Sequence, residues 1–240
     1  MVVNAKKFQF MILGTKRKTN ICLNINGHIC YSKTSILLLG IHIDWKLSFN
    51  GHVKMLCSRA SSKTKQLFRL RNKLNYSQKL ILYHSYIMSA FSYCPVIWMF
   101  CGKTMNAKIN RVHKRSLQAL YNDFDSSYEE LLKMSNQTTV HEINKRRLLI
   151  EVYRCLHKES PSFLRDLFVR TEIRYNLRKN KVLTLPKAST SSWGLHSVSY
   201  QGTRSWNSLP DDVKNSTHIL DSKENLRKNK IVHCSCKLCV

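Results

Sequence analysis

Residues 80–102, LILYHSYIMSAFSYCPVIWMFCG, hold no Asp, Glu, Lys or Arg, in a chain with 40 Lys and Arg against 14 Asp and Glu, a formal charge of +26. Such a stretch must leave water, so it is either a membrane span or the centre of a core. It is long enough to cross a bilayer. However, it contains His84, Pro95 and several Ser and Tyr residues, and basic residues flank it on both sides, giving no positive-inside asymmetry. Pro95 would end a helix. The sequence therefore predicts a buried core helix, capped at Ser77 and running to about Tyr93, with a membrane-associated protein built around residues 80–102 as the alternative.

The rest of the chain has to surround that core, and its charge is unevenly spread. Residues 1–120 carry 20 basic residues and one acid, Asp44, whereas residues 121–240 carry 20 and 13. Self-repulsion on that scale is relieved by a polyanion, which makes nucleic acid the first partner to consider and an anionic membrane surface the second. The hydrophobic content of 43% and only four prolines indicate a folded chain. Nine cysteines, an odd number and mostly scattered singly, do not form a secreted disulfide framework. The N-terminal MVVNAKKFQFMILG lacks the pattern of a signal peptide. An intracellular setting, nuclear or cytoplasmic, is expected.

Hydropathy periods predict an α+β, mainly α fold. Residues 2–13 and 21–31 read as strands, the latter folded at Asn26-Gly27, the strongest short hairpin signal. Residues 35–43 read as a third strand, with the apolar run 36–39 buried on both faces. A helix then places Val53, Leu56, Cys57, Ala60, Leu67, Leu70 and Leu74 inward and Lys54, Arg59, Lys65, Arg69 and Lys73 outward. A second basic helix near 105–121 points Met105, Ile109 and Val112 inward, with Lys108, Arg111, Lys114 and Arg115 to one side. A short capped helix is expected over 126–134. Thr139-Val140-His141-Glu142 is a capping box opening a helix to about His157. Residues 161–168 form another short helix, 170–216 an extended or irregular arm, and 221–230 a last basic helix. Trp193, Tyr200 and Trp206 in the arm either stack on bases or pin the arm to the core.

Catalytic chemistry finds little support. Two-metal enzymes need converging carboxylates, and Asp44 has no acidic neighbour in sequence before Asp123. Phosphate-binding glycine loops, Gly-x-Ser-x-Gly and His-Glu-x-x-His are absent. The terminal HCSCKLCV offers Cys234, Cys236 and Cys239, with His233 or His218 as a fourth ligand, as a candidate Zn²⁺ site. A zinc site ordinarily draws its ligands from two separated segments, so this one is weakly specified.

In this order, the segments NAKKFQFMILGTK, SILLLGIHIDWKLSFNGHVKMLCSRASSKTKQLFRLRNKL, KLILYHSYIMSAFSYCPVIWMFC, KINRVHKRSLQALYNDFDSSYEELL, TTVHEINKRRLLIEVYRCLHKESPSFLRDLF, YNLRKN and YQGTRSWNSLPDDVK form a specific series. It resembles the C-terminal part of a non-LTR (LINE-type, jockey-like) retrotransposon reverse transcriptase over nearly the whole chain. The resemblance implies that Leu39-Gly40-Ile41 corresponds to the primer grip and that the helices after Ser48 form a thumb. The catalytic Asp-Asp hairpin, with its Mg²⁺, would belong upstream of the segment matching Asn4-Ala5-Lys6-Lys7. The implied organisation is palm-edge strands over 1–48, a basic thumb-like domain over 49–170 and a C-terminal region over 171–240 with a Cys-rich end. The expected function is backbone binding of an RNA/DNA duplex or hybrid through Lys54, Arg59, Lys65, Arg69, Lys73, Lys108, Arg111, Lys114 and Arg115, without catalysis or cofactor of its own and without a small-molecule substrate. A degenerate transposon-derived fragment with no selected function is the competing view.

Overall fold

The computed structural model describes residues 8–14, 20–171, 182–190, 194–216 and 218–228. The protein is mainly helical, with two small antiparallel two-stranded sheets near its N-terminus.

The first hairpin joins β1 (Cys22–Ile25) to β2 (His28–Tyr31). Its two turn residues, Asn26 (φ 50°) and Gly27 (φ 82°), both have positive φ, as a turn matching the twist of the strands requires. The Asn24 carboxamide oxygen accepts from the Gly27 amide at 3.0 Å.

The second hairpin corrects the sequence expectation. Residues 35–43 are not one strand but β3 (Ser35–Leu38) and β4 (Ile41–Asp44), paired Leu38 to Ile41. Leu39 (φ 46°) and Gly40 (φ 83°) make the turn. The apolar run is not buried on both faces: Leu37, Leu38 and Leu39 are 58%, 53% and 81% exposed. The turn is anchored instead by Tyr93, whose hydroxyl donates to the Leu39 carbonyl at 2.8 Å. The N-terminal strand also fails over its described part. Residues 8–13 form no strand, and Phe10 meets the first hairpin region through one bond, Lys33 N–H to its carbonyl, at 2.9 Å.

Asp44 closes β4 and starts the helical part. Its carboxylate accepts from the amides of Lys46, Ser48 and Phe49 at 3.1, 3.1 and 2.7 Å and from the Ser48 hydroxyl at 3.1 Å. The lone acid of the first half therefore holds the turn into α1 (Asn50–Leu70).

The uncharged stretch enters the core through one face only and is not one helix: Tyr83, Ile87, Phe91 and Trp98 are buried, while Ile81, Tyr86 and Tyr93 are 65%, 53% and 51% exposed. It continues α2 (Tyr76–Leu82) through a π turn at Tyr83–Ile87 and a 3₁₀ turn at Met88–Phe91, then α3 (Pro95–Trp98). Pro95 starts α3, where its missing N–H costs nothing. The cap of α2 is Asn75, in a reciprocal box with Gln78, and not Ser77. Tyr83, Ile87, Phe91 and Trp98 pack against Val53, Leu56, Cys57 and Ala60 of α1 and Ile109, Val112 and Leu120 of α4 (Lys103–Tyr121). Among the described residues no helix is long and apolar enough to cross a membrane.

α6 (Val140–Leu156) opens on the expected capping box of Thr139 with Glu142, and the capped helix expected over 126–134 is α5 (Tyr128–Met134), opened by a reciprocal box of Ser127 with Glu130. α6 runs from the first core into a second. There Leu149, Val152 and Tyr153 meet Phe168, Leu183, Trp206, Leu209, Val213 and Leu226. Residues 170–216 are thus not an irregular arm over their described part. After α7 (Ser162–Arg165) come α8 (Val198–Asn207) and α9 (Asp211–Lys214), followed by α10 (Ile219–Lys228). Trp206, 1% exposed, is a core residue and pins this region to α6. Residues 172–181 and Trp193 lie outside the described residues.

Candidate nucleic-acid interface

α1 and α4 pack side by side and run the same way along their shared length. Lys108 lies beside Cys57 near their N-terminal ends, while Phe68 near the end of α1 meets Phe124, just past α4, with ring centroids 5.0 Å apart. Burial pushes the Cys57 thiol up to about 11 against the opposing pull of the Lys108 charge.

This pairing brings together some of the predicted cations and separates others. At about 100° per residue, Lys54, Lys65 and Arg69 fall within about 60° of one another on α1, and all three are exposed. Their stripe is about 22 Å long at 1.5 Å per residue. Across the groove, Arg111 and Arg115 are exposed and Lys108 half-buried on the neighbouring edge of α4. Lys65, Arg69 and Arg115 converge on one cavity of about 450 Å³.

Three predicted residues stand apart. Arg59 lies at least about 80° around α1 from the stripe, on the side of His52, whose pKa burial lowers together with the charges of His42 and Arg59. Lys73 follows the end of α1, in a turn closed by its own amide on the Leu70 carbonyl at 2.9 Å. Lys114 looks toward Asp123, where hydrogen bonds from Ser126 lower the carboxyl's pKa and the Lys114 charge adds to the effect.

No basic residue of α1 or α4 shares an ion pair among the described residues. The ion pairs found, Arg154–Glu151 and Lys214–Asp211, lie in the C-terminal half. Among the described residues, no acidic group therefore forms an ion pair with the cations of the α1–α4 face.

The cavity also holds groups that the sequence did not flag. Phe68 and Phe124 line it. Arg71 places its guanidinium 4.4 Å from the Phe68 ring centroid and 5.5 Å from that of Phe124. Its Nε donates to the Asn122 carboxamide oxygen at 2.9 Å and its Nη1 to the Phe68 carbonyl at 2.8 Å. The available signals were weak: Phe68 lies at the half-buried edge of α1's apolar face, and Phe124 sits in an Asp- and Ser-rich turn.

Beneath this face lies a buried polar cluster. The Tyr83 hydroxyl donates to the Gln137 carboxamide oxygen at 2.7 Å and stands 2.6 Å from His113 Nε2. His113 Nδ1 is 2.8 Å from the Tyr128 hydroxyl. Because Tyr83 has one proton and gives it to Gln137, Nε2 carries the imidazole proton and Nδ1 accepts from Tyr128. The ring is neutral and fully bonded, and burial pulls its pKa down to about 4.

Leu39, Gly40 and Ile41 sit at the tip of the second hairpin, and Ile41 is buried there. Of the candidate zinc ligands, His233, Cys234, Cys236 and Cys239 lie outside the described residues, and His218 is exposed. Among the described residues no group of three or more His, Cys, Asp or Glu is placed to hold a metal ion. No family model matches the chain, and neither the curated proteins nor the solved structures compared with it gave a match.

Proposed function

We propose that this chain is a nucleic-acid-binding module that grips an RNA–DNA hybrid or DNA duplex by its backbone through α1 and α4, as the thumb and downstream part of a non-LTR-type reverse transcriptase would. The observation that carries this reading is the convergence of Lys65, Arg69 and Arg115 on one cavity whose described lining includes no acidic residue. Lys54 extends the row along α1, and Arg111 and Lys108 flank it on α4.

A stripe about 22 Å long matches roughly six base pairs of a duplex at about 3.4 Å each. Its groups are long, solvated cations on rigid helices, which suits phosphate contacts that position a duplex without reading bases. Asp44, spent on the turn into α1, takes no part. Magnesium-dependent polymerisation would belong to the catalytic portion that the resemblance places upstream.

The test is fluorescence anisotropy with labelled RNA–DNA hybrids and DNA duplexes of unrelated sequence at low salt. Binding with affinities that agree within about threefold across sequences is expected of backbone contacts. Failure to bind any of them at low salt rejects the proposal.

A further inference from the structure

We propose that the α1–α4 cavity receives one unpaired nucleotide, its base stacked on Phe124 and its phosphate held by Lys65, Arg69 and Arg115. The chain then prefers a hybrid with a single-stranded extension to a blunt one. This inference rests on the backbone-binding reading above.

A duplex backbone requires only exposed cations on an open face, and the row of Lys54, Lys65 and Arg69 on α1 with Arg111 and Arg115 on α4 supplies them. The cavity offers something different. At about 450 Å³ it falls within the range of pockets that enclose small ligands, about 300–1,000 Å³. Its cations line the same space as two aromatic rings. That pairing of charge with a π surface is what recognises a single-stranded nucleotide, and it tolerates any base because every base has a π face.

The rings are also held ready. Phe68 and Phe124 are tilted by 48° at 5.0 Å, and Arg71, which is not on the cavity wall, braces both. The Gln118 side-chain amide donates to the Phe124 carbonyl at 3.1 Å and ties the turn to α4. Phe124 nevertheless stays 42% exposed, more than ring packing in a core would leave. That exposed part of the ring opens into the cavity lined by Lys65, Arg69 and Arg115, while Asp123 and Asp125 flank it along the chain.

The experiment compares one RNA–DNA hybrid in three forms: blunt, with a short single-stranded DNA extension, and with an abasic extension of the same length. The abasic form carries the same phosphates, so a difference between the two extensions reports the base alone. Wild type is expected to bind the base-bearing extension at least about fivefold more tightly than the abasic one. Phe124→Ala should abolish that difference, and Phe124→Trp should retain it. A 2-aminopurine in the extension should be quenched on binding wild type, a readout that needs no variant. Equal affinity for base-bearing and abasic extensions, an unquenched probe, or an unchanged preference in Phe124→Ala overturns the inference. If wild type binds blunt hybrid but shows no base preference, this inference alone fails. If it binds none of the three, the backbone reading fails with it.

Discussion

Acidification from pH 7 to 4.5 should destabilise the protein through His113. In the folded chain the imidazole is neutral, donating to Tyr83 and accepting from Tyr128, and its pKa falls from the ordinary 6.5 to about 4. Between those values the unfolded chain binds a proton that the folded chain does not, so stability rises with pH across the window and is lost as pH falls from 6.5 toward 4. Each pH unit is worth about 1.4 kcal/mol, so the whole window amounts to roughly 3 kcal/mol. That is a large fraction of the stability of an ordinary domain. His52 and His196 are also held low by burial, so the contribution of His113 has to be isolated. Urea unfolding at several pH values, followed by tryptophan fluorescence, would be run on wild type and His113→Gln. The variant should be less stable at pH 7 by about 1–3 kcal/mol, because Gln cannot satisfy both tyrosines. Its pH dependence between 6.5 and 4.5 should be flatter than that of wild type by roughly 2 kcal/mol. Parallel loss of stability in the two proteins would refute the assignment, as would an NMR titration of His113 with a midpoint near its ordinary value.

Two further substitutions probe the joints of the fold. A Cβ on Gly202 would stand 2.7 Å from the Phe168 ring and 3.1 Å from a Val152 methyl carbon. Gly202→Ala should therefore destabilise the protein by about 1–3 kcal/mol in a thermal or urea melt. Asp44→Ala removes the acceptor of four hydrogen bonds at the start of α1. It should cost about 1–3 kcal/mol in the same assay, with Asp44→Asn costing less because an amide oxygen still accepts.

What the sequence revealed follows from how local each signal is. α1, α4 and α6 were legible because long amphipathic stripes and capping boxes act within a few residues, as at Thr139 and Glu142. Asn26-Gly27 announced the first hairpin by the same logic. Leu39-Gly40 did not, because leucine is a poor turn residue; its positive φ is sustained by the bond from Tyr93, 54 positions away. The uncharged stretch signalled burial by its lack of charge, but neither the exposed face formed by His84, Ser85, Tyr86, Ser89 and Ser92 nor the points where the helix yields to π and 3₁₀ turns could be read from that. α8 was hidden by composition. Thr203 and Ser205 look like loop residues but are buried beside Trp206, through packing that a local reading does not capture. The candidate site was half visible: the cations were there to see, yet only the α1–α4 pairing selects Lys65, Arg69 and Arg115 and adds Phe124, while Arg59 turns away.

The claim that this face carries nucleic acid is tested most directly by the salt dependence of hybrid binding in two charge-matched variants. One replaces Lys65, Arg69 and Arg115 by Gln. The other replaces Lys133, Lys158 and Lys187, exposed on other parts of the surface. Both lose the same formal charge, so a diffuse electrostatic attraction would weaken equally in each. If the groove residues contact phosphates, the slope of log K against log salt should flatten by about 0.9 per lost contact, nearly 3 in all, in the first variant only. Equal slopes in the two variants, with both proteins folded by circular dichroism, would contradict the account.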